Sequence, residues 1–318
     1  MATTWRSGST FLGDLLNHYP GVFYFFEPLH YYAHMSEIER EKAEEPIEFL
    51  RSLYSCSFTE SNIGFLRHAA ANSFLLKKHN KRLWNSCSHL MHRGAPMCLR
   101  PEYLNQICPL YPIRLIKTVR LRVAKVEKLL QDPATDLRVV LLVRDPRGVY
   151  NSRGSGPVAN WCKQDECADP TVGCRDLSDD ILAANDLAAR YPGKVTLVRY
   201  EDLSLEPEET SRQLLKFLDL PWVDAISNFI ATHTKVNTKQ RQKKAVSAHL
   251  TAKNSTATAF AWRQELGLKR ILEIQRKCRS PMRRLGYRMI YKQGELNKKD
   301  LPLTKTAREV WRWQREKS

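Results

Sequence analysis

Near its start and again near its middle, the chain carries a stretch that reads as a strand and stops at a cluster of small, hydroxylated and basic side chains. The first cluster is Trp5-Arg6-Ser7-Gly8-Ser9-Thr10-Phe11. The second follows Val139 to Val143 and reads Arg144-Asp145-Pro146-Arg147, with Ser152-Arg153 shortly after it. At such strand-to-helix turns, backbone N–H groups and the positive end of a helix dipole can hold an anion. One turn of this kind is a weak signal. Two in one chain point to a ligand with separate phosphate groups at its two ends, carried by an α/β fold.

The first turn can be read residue by residue. Gly8 lets the backbone come close to an anion, Ser9 and Thr10 add hydroxyl donors, and Arg6 supplies charge. Gly8 and Gly13 have the spacing of a nucleoside-triphosphate loop, but Asp14 stands where that loop needs a lysine, which argues against ATP or GTP. The bland alternative is an ordinary helix start capped by Ser7 or Ser9. In the second turn, Arg144 leaves the strand with a guanidinium suited to bidentate phosphate contact. Ser152 follows about two helical turns later, and Asp145 is placed to cap the intervening helix. Here the alternative is an arginine merely paired with Asp145 or Asp132.

Size and charge bound the possibilities. With 318 residues and 42% apolar content the chain can bury a real core, so disorder is excluded as its main state. The 51 Lys and Arg against 34 Asp and Glu give a net charge of +17, a surface that attracts nucleic acid, acidic lipid or acidic glycan. No run of 18 apolar residues occurs, and the first residues lack the pattern of a secretory signal. Met1 to Thr4 sit where a first strand should already be ending. The expectation is therefore a chain that starts inside a longer protein, with any anchor preceding it.

Eight cysteines occur, at 56, 87, 98, 108, 162, 167, 174 and 278. Zinc would want paired Cys-x₂₋₄-Cys units, and the trio 162, 167 and 174 has no second pair beside it. Disulfides in an oxidising compartment are the better reading, with buried thiols as the alternative.

Strands and helices alternate along the chain. The pattern predicts a strand ending near Thr4, a helix over 9–17 and a buried strand over 22–26 closed by Glu27-Pro28. Ile38, Ile47, Leu50, Leu53 and Tyr54 recur at helical spacing, whereas 59–112 reads as mixed helix and loop. A strand is expected over 113–120, a helix over 123–130, and the surest strand over 139–143, whose unbroken apolar run fits a parallel strand covered on both faces. A polar insertion is expected over 154–178, then a helix through Ile181, Leu182, Leu187 and Ala188, and a strand over 195–198. Helices follow over 207–218, 223–232 and 262–276. The polar, basic stretch 233–259 reads as a mobile loop of the kind that covers ligands.

Taken together, Thr3-Thr4-Trp5-Arg6-Ser7-Gly8-Ser9-Thr10-Phe11-Leu12, Phe25-Phe26-Glu27-Pro28-Leu29, Ile116-Lys117-Thr118-Val119-Arg120, Leu142-Val143-Arg144-Asp145-Pro146-Arg147, Val198-Arg199-Tyr200-Glu201-Asp202-Leu203 and Lys253-Asn254-Ser255 resemble the Golgi carbohydrate 6-O-sulfotransferases, which act on N-acetylglucosamine, galactose and chondroitin. The likeness runs in order over nearly the whole chain. It implies an α/β, P-loop-like three-layer domain over 1–292, with a central, mainly parallel sheet flanked by helices, and a basic tail over 293–318. The implied donor is 3′-phosphoadenosine 5′-phosphosulfate. Arg6, Ser7, Gly8, Ser9 and Thr10 match the 5′-phosphosulfate loop, Arg144 and Ser152 the 3′-phosphate site, and Thr251, Lys253, Asn254 and Ser255 a segment that closes over the nucleotide.

In-line sulfuryl transfer builds charge on the leaving phosphate oxygen, which Arg6, the amides of 7–10 and Lys117 or Arg120 are placed to meet. The leaving group carries fewer charges than a triphosphate, so this chemistry demands no metal. Glu27 follows a buried aromatic strand whose low polarity would raise its pKa, which makes it the candidate general base; the alternative is a carboxylate that only pairs with Arg6 or Arg120. The resemblance further implies a glycan or glycosaminoglycan acceptor and a type II protein of the Golgi lumen. Two rival readings are a non-catalytic polyanion binder, for which aromatic residues for base stacking are sparse, and a P-loop-like kinase, weakened by Asp14.

Overall fold

The structure is a computed structural model and describes residues 1–33, 38, 44–71, 79–92, 95–155, 159, 162, 165–234, 254–298 and 300–305. Its strands are β1 (Ala2–Thr3), β2 (Val22–Phe26), β3 (Met91–His92), β4 (Ala95–Pro96), β5 (Ile113–Lys117), β6 (Val139–Val143) and β7 (Val195–Arg199). β6 lies in parallel between β1 and β7, with Thr3 opposite Leu142 and Val143 opposite Arg199. β2 and β5 pair in parallel with Phe26 opposite Lys117. A parallel bridge from Ala2 to Thr118 joins the two groups, giving the order β2-β5-β1-β6-β7. β3 and β4 form a small antiparallel pair apart from it.

The unbroken apolar run of β6 is buried along its whole length, as a central parallel strand covered on both faces requires. The helix Ser9–Asn17 buries Phe11, Leu12, Leu15 and Leu16. It packs on β2, β5 and the helix Asp224–Thr234, where Phe11 meets Phe229 at a ring separation of 5.5 Å. On β7 lies the helix Pro170–Arg190, which buries Cys174, Leu177, Ile181, Ala184 and Leu187. The expected class, a parallel sheet flanked by helices, is what the chain adopts.

Several boundaries differ from the sequence reading: the strand expected over 113–120 ends at Lys117, and the loop expected over 233–259 ends in the helix Ser255–Ala259. The polar insertion expected over 154–178 contains the short helix Asp165–Ala168, and the long helix already begins at Pro170, where the Asp169 carboxylate accepts from the Thr171 N–H at 2.9 Å. An Asp-Pro helix start was present in the sequence; the buried Cys174 that continues the apolar stripe hid it. The helix expected over 262–276 breaks at Leu266 and Gly267, both extended, into Trp262–Glu265 and Leu268–Lys277. The boundary at 292 does not detach the residues beyond it: Leu296 and Leu303 are buried in a small cluster with Trp262, Ile271 and Ile290, and Tyr287 bridges to Thr304.

All eight cysteines pair, as Cys56–Cys108, Cys87–Cys98, Cys162–Cys167 and Cys174–Cys278. Three short helices, Gly64–Ala71, Lys81–Cys87 and Pro101–Ile107, fill the region read as mixed. The first disulfide ties the end of Pro101–Ile107 to the residue shortly after the helix Glu44–Tyr54, and the second ties the end of Lys81–Cys87 to Cys98 just before Pro101–Ile107. The last ties the long helix to the C-terminal part across 104 residues. Loop-closure entropy assigns that crosslink about 4 to 5 kcal/mol and the 5-residue Cys162–Cys167 link only about 2 kcal/mol. Replacing Cys174 and Cys278 together with serine is therefore expected to lower the urea midpoint by about twice as much as replacing Cys162 and Cys167.

Candidate anion-binding active site

Because the sheet is parallel and in register, the residues that follow β1, β2, β5, β6 and β7 gather at one carboxyl edge, where α/β proteins bind ligands. After β1 the chain turns sharply. Ser7 is fully buried, its hydroxyl donates to the Thr4 carbonyl at 2.7 Å and meets Thr4 Oγ1 at 2.8 Å. That hydroxyl braces the loop from within rather than facing an anion. Gly8, at φ 89°, is the N-cap of the helix Ser9–Asn17, and no side chain caps it. The cap by Ser7 or Ser9 that the alternative reading requires is thus not made, which leaves the amides of Ser9 and Thr10 uncapped by a side chain at the positive end of the dipole. A Cβ on Gly8 would lie 2.3 Å from the Tyr200 ring, so backbone conformation and space both demand glycine.

Arg6 stands at φ 72°, a left-handed conformation costly for a long side chain. The turn aims it at the second cluster: Arg6 Nε donates to Ser152 Oγ at 3.0 Å, and Arg144 Nη1 donates to the Arg6 carbonyl at 3.1 Å. The two cradles, far apart in sequence, share one place. Arg144 is buried, lies 4.6 Å over the Tyr200 ring and donates through Nη2 to the Thr258 carbonyl at 3.0 Å. Among the described residues its Nε is a buried donor without a hydrogen-bond partner. Asp145 caps the helix Pro146–Arg153 and binds Arg147, not Arg144.

Arg153 donates to the Trp5 carbonyl at 3.1 Å and to the Cys167 carbonyl at 3.2 Å. Burial, with Arg144 and Arg153 close by and opposed only by Tyr200, lowers the Arg6 pKa to about 10. Three guanidinium groups crowding one spot is an arrangement that a phosphate or sulfate dianion relieves.

Glu27, at φ 48°, follows β2 and is buried. Its two carboxylate oxygens bind Lys117 Nζ and Arg120 Nη1, which arrive from the end of the neighbouring strand β5. Burial alone would raise its pKa, but the two cations outweigh that and hold it at about 2. The expected upward shift is therefore reversed. The aromatic strand gives the burial, while the pairing of Phe26 with Lys117 brings the charge that decides the sign. Lys117 also sits 4.2 Å over the Phe26 ring, and burial lowers its pKa despite Glu27.

Ser9 is buried in the first turn and Thr10 is half-buried beside it. Asn254 caps the helix Ser255–Ala259, accepting from the Ala257 N–H at 2.9 Å, and Ser255 Oγ donates to the Ser204 carbonyl at 2.8 Å. Thr251 and Lys253 lie outside the described residues. Sequence reasoning named Arg153 only as part of the second cluster and gave Thr258 no role, and Tyr200 and Glu201 stood there only as part of a motif. Tyr200 is the platform under both Gly8 and Arg144; its position directly after a strand was the one available signal.

Glu201 is fully buried and acts as a brace: Oε1 accepts from the Asp145 N–H at 3.1 Å and Oε2 from Tyr287 Oη at 2.7 Å. Burial and the nearby Asp145 raise its pKa to about 7. Between its ordinary value near 4.5 and about 7, the folded carboxyl holds a proton that the unfolded one has lost, so raising pH through that window costs stability. Wild type is expected to lose on the order of 3 kcal/mol across it relative to Glu201→Gln, measured as the difference between their urea-unfolding free energies at pH 5 and pH 8.

The sequence profile of the Sulfotransferase domain matches residues 1–286. Mouse carbohydrate sulfotransferase 1 is 28% identical over 93% of this chain and 80% of its own length, and human carbohydrate sulfotransferase 5 is 28% identical over 95% and 79%. The solved sulfotransferase domain from the Synechococcus PCC 7002 olefin synthase is 16% identical and covers 88% of this chain and 92% of its own, with a TM-score of 0.44. The profile spans nine-tenths of the sequence, and this chain belongs to the sulfotransferase domain family.

Proposed function

We propose that the protein moves a sulfuryl group from 3′-phosphoadenosine 5′-phosphosulfate to the 6-hydroxyl of a sugar in a glycan or glycosaminoglycan. The observation that carries the donor is the meeting of Arg6, Ser152 and Arg144 at one edge of the sheet. The carbohydrate acceptor is supported by relatives named carbohydrate sulfotransferases, and the 6-position by the motif resemblance alone. The four disulfides support an oxidising lumen, which we take to be the Golgi. Among the described residues no helix is long and apolar enough to cross a membrane.

The nucleotide supplies the sulfuryl group and a leaving 5′-phosphate on which negative charge grows. Arg6 and the uncapped amides of Ser9 and Thr10 meet that charge; they are already oriented, so little reorganisation accompanies it. Arg144, with its unpartnered Nε, and Ser152 hold the 3′-phosphate. Asn254 and Ser255, with Thr251 and Lys253, belong to the covering segment. Lys117 and Arg120, held by Glu27, are a second source of positive charge for the leaving phosphate oxygen, and Glu27 takes the hydroxyl proton once the acceptor replaces one of its ion pairs.

Calorimetry with 3′-phosphoadenosine 5′-phosphate tests the donor site. Wild type is expected to bind it without magnesium and well ahead of AMP. Arg144→Ala should lose about 10- to 100-fold and bind the two nucleotides alike, while Arg6→Ala should weaken both. Preference for ATP with magnesium favours the kinase, and failure to bind any nucleotide favours the polyanion binder.

Base action by Glu27 has its own test. With a pKa near 2 the carboxylate is ionised throughout the working range, so no limb of the pH profile should belong to it. A base so weak contributes at the low end, and Glu27→Gln is expected to lower kcat by about 100-fold in radiolabelled sulfate transfer. Turnover near wild type in that variant removes the assignment.

A further inference from the structure

Residues 268–288 carry eight Lys and Arg against the single carboxylate Glu273. The helix Leu268–Lys277 turns Ile271, Ile274 and Gln275 into the core, which leaves Lys269, Leu272 and Arg276 exposed on the opposite side, spaced over about 10 Å. Arg279, Arg283 and Arg284 of the following helix Arg279–Arg284, and Arg288 after it, are exposed as well. The nearby carboxylates are already engaged: Glu273 binds Arg270 at 2.8 Å, and Asp169 binds Lys277 at 2.6 Å. Among the described residues, no ion pair holds Lys269, Arg276, Arg279, Arg283, Arg284 or Arg288. Like charges gathered within a Debye length repel one another and destabilise the fold that holds them.

We propose that this face is a second binding surface, outside the transfer site, for an acidic polysaccharide bearing carboxylate or sulfate groups. The inference rests on the carbohydrate reading, since it concerns how the acceptor polymer is held. Four of the five cations in 276–284 are arginines, whose planar fork fits sulfate and carboxylate in two-point contact. A nucleic acid would want aromatic faces for its bases, and Tyr287, the one aromatic residue in the stretch, is buried. A membrane would want an apolar side, and Leu272 is the only large apolar residue exposed there. The disulfides also point away from the cytoplasm, whose leaflet is the anionic one. The inner side of the Leu268–Lys277 helix packs against the helix Pro146–Arg153 that carries Ser152, and Arg147 Nη1 donates to Gln275 Oε1 at 2.9 Å. The basic stripe therefore lies on the far side of an element that the donor site uses.

The test compares the full chain with R276A/R279A/R283A/R284A and with a control pair elsewhere, K81A/R82A, on immobilised chondroitin sulfate across a salt series. The quadruple variant is expected to bind at least ten-fold more weakly, with the slope of log affinity against log salt reduced by about 3, while the control stays near wild type. Calorimetry with 3′-phosphoadenosine 5′-phosphate should be unchanged in both, which separates loss of this surface from misfolding and from failure of the transferase reading. In sulfate transfer, the variant should show a raised KM for the acidic polymer and unaltered kinetics with a short neutral oligosaccharide. Unchanged polymer binding, an equal loss in the control, or tighter binding to phosphatidylserine vesicles or DNA than to the polysaccharide would each overturn the proposal.

Discussion

The parallel register of β1 against β6 is the constraint on which the site depends. With Thr3 opposite Leu142, both strands end at the same level, so the residues that leave them must turn over the same edge. That one pairing puts Arg6 next to Arg144 and Ser152, although a long stretch of chain lies between them. The hydrogen bond from Thr3 Oγ1 to the Leu142 carbonyl at 2.6 Å ties the last step of the ladder just before the divergence. A slip by one residue would reverse the buried faces of β6 and send Arg144 to the other side of the sheet.

Holding cations at that edge is expensive, and the structure shows what opposes the cost. Buried ions survive when partners satisfy their remaining hydrogen bonds. Lys117 and Arg120 share Glu27. Arg147 is enclosed by Asp145, Gln275 and the Arg288 carbonyl, and lies 4.0 Å over Trp262. Arg199 binds Asp202 at 2.8 Å and the carbonyls of Leu285 and Lys305. Each of the last two networks ends in the stretch 285–305. Its later part, from 293 on, looks in sequence like the start of a basic tail, yet the Lys305 carbonyl takes part in the polar layer behind β6 and β7.

The parts of the fold that periodicity controls were legible in the sequence. The helix Ser9–Asn17 and the strands Val22–Phe26 and Val139–Val143 fall where apolar spacing and the flanking small residues put them. The start of the long helix was masked by a cysteine acting as core, and the break at Leu266-Gly267 by a continuous apolar period across it. In the site, residue types singled out Arg6, Arg144 and Ser152, which the fold brings together, because each turn is local in sequence. The Glu27 environment was not legible in the same way. Its proton affinity is set by Lys117 and Arg120, which reach it only through the pairing of β2 with β5, and no local pattern encodes that pairing. Tyr200 was hidden for the same reason, since its partners Gly8 and Arg144 come from two other strands.

The free protein holds Arg6, Arg144 and Arg153 against one another, with Arg6 in a left-handed backbone conformation and its pKa lowered to about 10. Both the strain and the repulsion are retained by a sheet and a Tyr200 platform that leave the groups nowhere else to go. On the function proposed above, a nucleotide with a phosphate at each end would neutralise both cradles at once, whereas one with a single phosphate would answer only one. Discrimination between the two therefore comes from the penalty already built into the unliganded site as much as from the hydrogen bonds that binding forms. The same reasoning makes the fold more stable when a ligand of that kind is bound, because its anion offsets the repulsion among Arg6, Arg144 and Arg153.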